Sequence, residues 1–215
     1  MIVKTFPRRT ALLAALAAAA ALNACAPLLI GGAVVGGSMV AIDRRTSGAQ
    51  VDDETIEFKG MKRVSETIGD RGSVSLTSYN RLVLITGAVP SEADKAAVGQ
   101  AVERIENVRS VVNELGIGEP NSFGGRSNDS ILTSKIKASM LDAKDLQSNA
   151  FKVVTERGIV YLMGRVTQRE ADRATEISRG VSGVRKVVRV FEIISEAELA
   201  GLQPPATAAS GPPRP

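Results

Sequence analysis

The sequence predicts an α+β protein built from two tandem copies of one α-β-β-α-β unit. Each unit is a three-stranded mixed sheet covered by two helices. Three observations predict it. First, a strand pattern occurs twice, as Leu82–Val89 (LVLITGAV) and Ile159–Val166 (IVYLMGRV). Each copy is followed by a helix carrying Glu-Ala-Asp (Glu92 to Asp94, Glu170 to Asp172) and by a run ending in Val-Val (Ile105 to Val112, Val181 to Val188). Second, 215 residues less a leader and two tails leave room for two units of roughly 70 residues, near the lower limit for independent folding. Third, aromatics are only 3% of the chain, so both cores are aliphatic.

The chain opens on a basic stretch, Met1 to Thr10, holding Lys4, Arg8 and Arg9 without an acid. Ala11 to Leu22 follows as an unbroken apolar run of 12 residues. That is short of the ~20 needed to span a bilayer and matches the core of an export signal. Arg8-Arg9 lacks the rest of a twin-arginine motif, so the general secretion route is expected. The run ends in Leu22-Asn23-Ala24-Cys25, which resembles the lipobox of bacterial lipoproteins: Leu at −3, a small residue at −1, then the cysteine that is acylated. Residues 1–24 then read as a signal peptide and Cys25 as the lipidated first residue. The chain has one Cys in all. Three acyl chains anchor a protein stably, where one binds only marginally. Ala26 stands where an inner-membrane retention signal carries Asp, so the resemblance implies the outer membrane, facing the periplasm. Residues 25–50 read as lipidated end and linker. Leu28 to Ile42 has four glycines in 15 residues, a flexible or membrane-hugging segment, and 43–48 reads as loop.

The first unit is expected over 51–118. Asp52 or Asp53 caps a helix whose stripe is Ile56, Gly60, Val64 and Ile68. Val74, Leu76 and Ser78 alternate as a strand, Asn80-Arg81 turns, and Leu82 to Val89 returns. Pro90-Ser91-Glu92 opens the second helix, and Ser110 to Ile117 closes the unit. Residues 119–127 read as a linker by their Gly, Pro, Asn and Ser content. The second unit is expected over 128–194. Asp129 or Ser130 caps its first helix, with Leu132, Ile136 and Met140 as the core stripe. Phe151 to Thr155 and Ile159 to Val166 form a hairpin around Glu156-Arg157-Gly158. Gln168 to Arg179 is helical, Gly180 ends it, and Val184 to Ile194 is the last strand. Gly87 and Gly164 are structural glycines, placed where a strand hands over to a helix and permitting close approach of that helix or a bulge. Residues 195–215 read as a disordered Pro/Ala-rich tail.

These units resemble the BON domain (bacterial OsmY and nodulation). The residues that carry the likeness are Gln50 to Asp53, Asn128-Asp129, Thr133-Ser134-Lys135, Val160 to Gly164 and Val181-Ser182-Gly183-Val184. Two such domains behind a lipobox resemble the outer-membrane lipoproteins of division and envelope stress. The resemblance implies that the protein engages an anionic phospholipid membrane surface through the first helix of the second domain, at Ile131, Ser134, Lys135, Lys137 and Ala138, and supports outer-membrane integrity without catalysis. The residues agree in part. Ile131 lies about 100° off the core stripe and projects outward beside Lys135 and Lys137, apolar insertion next to headgroup attraction. The alternative is that Ile131 packs on the first domain or on the loop before the hairpin. An aromatic is frequent at this family position, and the aliphatic weakens the interfacial preference.

Charge separates the copies. Residues 51–118 carry 8 basic and 11 acidic side chains, and residues 126–194 carry 13 and 8. The basic second copy suits anionic partners, whereas the first, at −3, is disfavoured for an anionic surface. With no His and one Cys there is no cluster to hold a metal or cofactor, and the commonest general base is missing. These absences argue against an enzyme. Glu170 and Asp172, two apart on a helix, do not share a face. Export and the lack of interleaved aromatics disfavour nucleic acid. The competing reading is an adaptor that docks envelope proteins, for instance through exposed edge strands.

Overall fold

The computed structural model describes residues 43–202. Cys25, the apolar run before it, the glycine-rich stretch and the end of the tail lie outside the described residues. Both copies belong to one compact unit. The elements of the first are α1 (Ser47–Ile68), β1 (Ser73–Tyr79), β2 (Leu82–Val89), α2 (Glu92–Glu103), β3 (Ser110–Asn113) and β4 (Gly116–Ile117). Those of the second are α3 (Phe123–Asp142), a 3-10 turn (Ser148–Ala150), β5 (Lys152–Glu156), β6 (Ile159–Val166), α4 (Gln168–Gly180) and β7 (Lys186–Ile193), followed by α5 (Glu196–Leu202).

Both first helices start earlier than their sequence suggests. Thr46 caps α1 by accepting from the Ala49 amide, and Ser122 caps α3 by accepting from the Gly125 amide. Neither Asp52 nor Asp53, and neither Asp129 nor Ser130, is a cap. The segments read as loop (43–48) and linker (119–127) therefore donate their last residues to helices. The core stripes are as expected: Ile56, Gly60, Val64 and Ile68 are buried on α1, and Leu132, Ile136 and Met140 on α3. The end read as tail begins instead with α5, which buries Leu199.

In each copy the first two strands pair antiparallel around a two-residue turn. Leu76 faces Ile85, and Val153 faces Leu162. Both turns use positive φ, at Asn80 and Arg81 (51° and 66°) and at Arg157 and Gly158 (54° and 73°), the geometry that matches strand twist. The strand after each second helix returns parallel to the central one, the connection a helical crossover provides. The expected strand over 110–117 divides into β3 and β4, both parallel to β2, so the first sheet has a short fourth strand.

Each central strand alternates between two cores. Val83 and Ile85 point to α1 and α2, while Leu84 points the other way. Val160 and Leu162 face α3 and α4, while Tyr161 and Met163 point away. The outward residues meet: Tyr79 and Leu84 pack with Tyr161, Met163 and Val190 in a shared core. The sheets thus stack face to face and the helices form two outer layers, one on each side. Burying an aliphatic side chain contributes roughly 1.5–3 kcal/mol, so this third core joins the copies firmly. Its rim is polar. Asn80 Nδ2 and Arg109 Nη2 each donate to Glu192 Oε2 at 2.7 Å, and Lys152 Nζ donates to Glu57 at 3.0 Å.

Gly87 and Gly164 lie within β2 and β6, not at a hand-over to a helix. Gly87 has φ +117°, and a Cβ there would strike the Ser73 carbonyl oxygen of the paired strand; at Gly164 it would strike the Ala150 carbonyl of the 3-10 turn. The close approach is that of a neighbouring strand or turn.

Candidate functional site

The outer face of α3 is set by what holds its inner face. Asp129, in the second turn of the helix, is buried and accepts from the Arg157 amide at 2.7 Å, the Gly158 amide at 2.8 Å and Asn121 Nδ2 at 2.7 Å. This ties the helix to the turn of the β5–β6 hairpin and fixes its rotation. Asp53 does the same in the first copy. It accepts from the Asn80 amide at 2.8 Å, the Arg81 amide at 2.7 Å, Ser78 Oγ at 2.6 Å and Arg45 Nη1 at 2.8 Å.

With the stripe of Leu132, Ile136 and Met140 buried, the opposite surface of α3 is open. Ile131 is 55% exposed and Ser134, Lys135, Lys137 and Ala138 are all exposed. Ile131 belongs to none of the three buried clusters. At 100° per residue, Ile131, Ser134 and Ala138 fall in a sector of about 60°. Lys135 borders one side of it and Lys137 the other. The hydroxyls of Ser130 and Ser134 donate back to the carbonyls of Arg126 and Ser130, so they do not claim partners from outside.

Two residues join this face that the sequence reading did not include. Phe123, in the segment read as linker, opens the helix and is 81% exposed; Leu141, near its end, is 73% exposed. The spacing Ile131, Ser134, Ala138, Leu141 is that of one helix face, and it was legible once the helix was extended past its core stripe. Beside Leu141 a groove of about 270 Å³ runs between the last turn of α3 and the 3-10 turn, with Lys137, Ser148 and Phe151 in its walls. The arrangement is a line of exposed apolar side chains with an ammonium group on either flank. It offers insertion to hydrocarbon and attraction to phosphate.

A second set of contacts ties the chain before α1 to the second copy. Arg44 is 4% exposed and grips Glu170 in both directions of its fork, at 2.7 Å each. It also donates to the Arg165 carbonyl at 3.0 Å and to Gln147 Oε1 at 3.1 Å, and Arg165 donates back to the Arg44 carbonyl at 3.0 Å. Burial raises the Glu170 pKa, but the Arg44 guanidinium and the Thr167 amide outweigh it and hold the carboxyl below its usual value. Glu170 also closes the capping box of α4 with Thr167. Its part in the repeated Glu-Ala-Asp is thus structural, while Asp172 is exposed on the other side, paired with Arg189 at 2.9 Å.

Among the described residues no group of His, Cys, Asp and Glu is placed to hold a metal ion, and no helix is long and apolar enough to cross a membrane.

Two α-β-β-α-β units, each with a helix pinned to its hairpin by one aspartate, define a tandem domain of a known kind. The chain belongs to the BON domain family, whose model matches residues 52–119 and 128–195. Among individual proteins it is similar to "Outer membrane lipoprotein DolP" of Haemophilus influenzae, 39% identical over 175 residues, covering 80% of this chain and 90% of that one. It is also similar to a "21 kDa hemolysin" of Actinobacillus pleuropneumoniae, 32% identical over 155 residues, covering 71% and 80%. "Osmotically-inducible protein Y" of Escherichia coli is 32% identical over 117 residues, covering 53% and 58%.

Proposed function

We propose that this chain is a lipid-anchored outer-membrane protein that faces the periplasm, binds anionic phospholipid through the outer face of α3, and supports the integrity of the envelope. The observation that carries the reading is the exposed line of Ile131, Ala138 and Leu141 between Lys135 and Lys137. The acylated Cys25 supplies the anchor and α3 supplies the headgroup contact. The likeness to an outer-membrane lipoprotein over 80% of the chain supports the location. The function needs no catalytic group, and Glu170 and Asp172 are both engaged in structural pairs.

Each basic residue near an anionic surface contributes about 1 kcal/mol, and an inserted Ile adds its transfer energy. Ile131→Glu replaces insertion by repulsion. The mature chain with Cys25→Ser has no acyl chains, so its vesicle binding reports the domains alone. It is expected to float with vesicles containing phosphatidylglycerol and not with pure phosphatidylcholine. Ile131→Glu is expected to weaken that binding at least ~10-fold, a loss of about 1.4 kcal/mol. Unchanged flotation of Ile131→Glu places the contact elsewhere. Absence of flotation in the parent, with retention of an envelope protein in a pull-down, favours the adaptor role.

A further inference from the structure

The first domain carries its own exposed amphipathic helix face, and its net negative charge does not describe that face. Much of its acidity is spent inside the molecule. Asp53 is buried under the hairpin turn. Asp94 pairs with Arg71 at 2.6 Å, Asp52 with Arg81 at 2.6 Å, and Glu57 reaches Lys152 of the second domain at 3.0 Å.

The outer side of α1 keeps an exposed carboxylate, Glu54, a turn before Phe58, among apolar and basic side chains. Phe58 is 77% exposed and Met61 44%. Next to Phe58 a groove of about 650 Å³ runs between α1 and the end of α2. Four cations line it, Lys59, Lys62, Arg63 and Arg104, against two carboxylates, Glu66 and Glu106. Lys59 meets Glu106 at 3.3 Å and Arg63 meets Glu66 at 3.4 Å, both on the exposed surface, where such pairs contribute little and exchange readily. Lys62 and Arg104 form no ion pair among the described residues. Phe58, Met61 and Lys62 are neighbours at three- and four-residue spacing, so an aromatic, a thioether and a cation share one side of the helix.

We propose that this face of α1, centred on Phe58 with the basic groove beside it, is a second contact for an anionic phospholipid bilayer, directed away from the first. The inference rests on the reading of α3 as a bilayer contact. Charge complementarity and the exposed aromatic select the occupant: an aromatic ring favours the interfacial depth, and cations beside it take the phosphates. The direction follows from the fold. The two sheets stack through Tyr79, Leu84, Tyr161, Met163 and Val190, and α1 and α3 cover the opposite outer faces. One bilayer surface does not meet both helices flat-on. A single molecule therefore links two anionic surfaces, α3 on one and α1 on the other.

The test uses the mature full-length chain with Cys25→Ser and vesicles of phosphatidylglycerol and phosphatidylcholine. Flotation reads binding and light scattering reads vesicle clustering. Three variants are compared: Phe58→Glu with Lys62→Glu, Ile131→Glu with Lys135→Glu, and all four together. All four side chains are exposed, and far-UV circular dichroism checks the fold. The parent is expected to bind and to cluster vesicles. Each two-residue variant is expected to keep measurable binding, the α3 variant at least ~10-fold more weakly than the parent, and to cluster vesicles at least about ten-fold more slowly, and the four-residue variant to do neither. If the α3 variant loses all binding, or the α1 variant clusters like the parent, the second contact is overturned while the α3 reading stands. If the α1 variant alone loses binding and the α3 variant is unchanged, the α3 reading falls and the α1 contact stands. If the α1 variant loses capture of an acidic protein while its flotation and clustering are unchanged, the occupant is a protein and the proposal is overturned.

Discussion

Asp53 and Asp129 each hold the backbone amides of a hairpin turn, and neither is replaceable by a neighbour. Removing the carboxylate leaves two turn amides without acceptors, part-buried except for the buried one at Gly158, and each unsatisfied buried group costs about 1–3 kcal/mol. Asp129→Ala is expected to lower the urea midpoint by an amount equivalent to about 2–4 kcal/mol and to raise hydrogen exchange at Arg157 and Gly158; normal protection at those amides contradicts the role. In sequence these two aspartates look like helix caps, since Asp before an apolar stripe is the ordinary cap signal. The actual caps, Thr46 and Ser122, sit seven residues earlier, where Gly and Ser content reads as loop. The same composition hid Phe123. What was legible at this scale was each residue whose neighbours in sequence decide its fate, such as Leu132, Ile136 and Met140. What was not legible was each residue whose partner comes from a distant turn.

At the scale of elements, the outer face of α3 is rigid because its inner face is both buried and pinned. The strap before α1 is a second such device. Arg44 and Glu170 are a buried pair, and breaking one side of such a pair costs about 3–5 kcal/mol, whereas replacing both by packed apolar side chains is close to neutral. Arg44→Ala is therefore expected to destabilise the protein by that amount in urea denaturation, and Arg44→Met with Glu170→Leu to recover part of it, less the capping-box bond from the Thr167 amide that Glu170→Leu also removes. Equal loss in both variants contradicts a desolvated ion pair. Acid acts on the same element in a known direction. Because the Glu170 carboxyl titrates below its ordinary 4.5 in the fold, its contribution is complete above that value and is lost as the pH falls through the depressed one. The sequence shows Glu170 in the Glu-Ala-Asp of the second copy, but its partner lies 126 residues away, in a stretch with no periodicity to mark it.

At the scale of the whole molecule, the two repeats are joined through the faces of their sheets. Tyr161 lies in that shared core; burial first, and then the carboxylates of Glu114 and Glu156, push its phenol up to about 12. Tyr79 is raised too, chiefly by burial. Neutral tyrosine is the form the interface accepts, so its contribution is whole below the ordinary value near 10 and is lost as the pH rises through the folded one. An absorbance titration of these residues, the only two tyrosines in the chain, is expected to show no phenol ionising at its ordinary pH in native protein and both doing so in urea. A normal native titration contradicts the stacked sheets. At acid pH the rim weakens as well: burial disfavours the Glu192 carboxylate, but Arg109, Asn80 and Arg165 hold it below its usual value, so the rim contact is complete above that value and goes as the pH falls through the lowered one. The repeat, its fold class and the alternation of its strands were readable from the sequence. The stacking was foreshadowed only by the central strands, which are apolar on both faces.

The central claim is that α3 meets an anionic bilayer through Ile131. The chain contains no tryptophan, so Ile131→Trp places a single reporter at the claimed contact. In the Cys25→Ser chain, adding phosphatidylglycerol vesicles is expected to shift its emission to the blue and to expose it to quenching by brominated acyl chains, with no response to phosphatidylcholine alone. Emission that stays at its free value while the protein floats with the anionic vesicles contradicts the account.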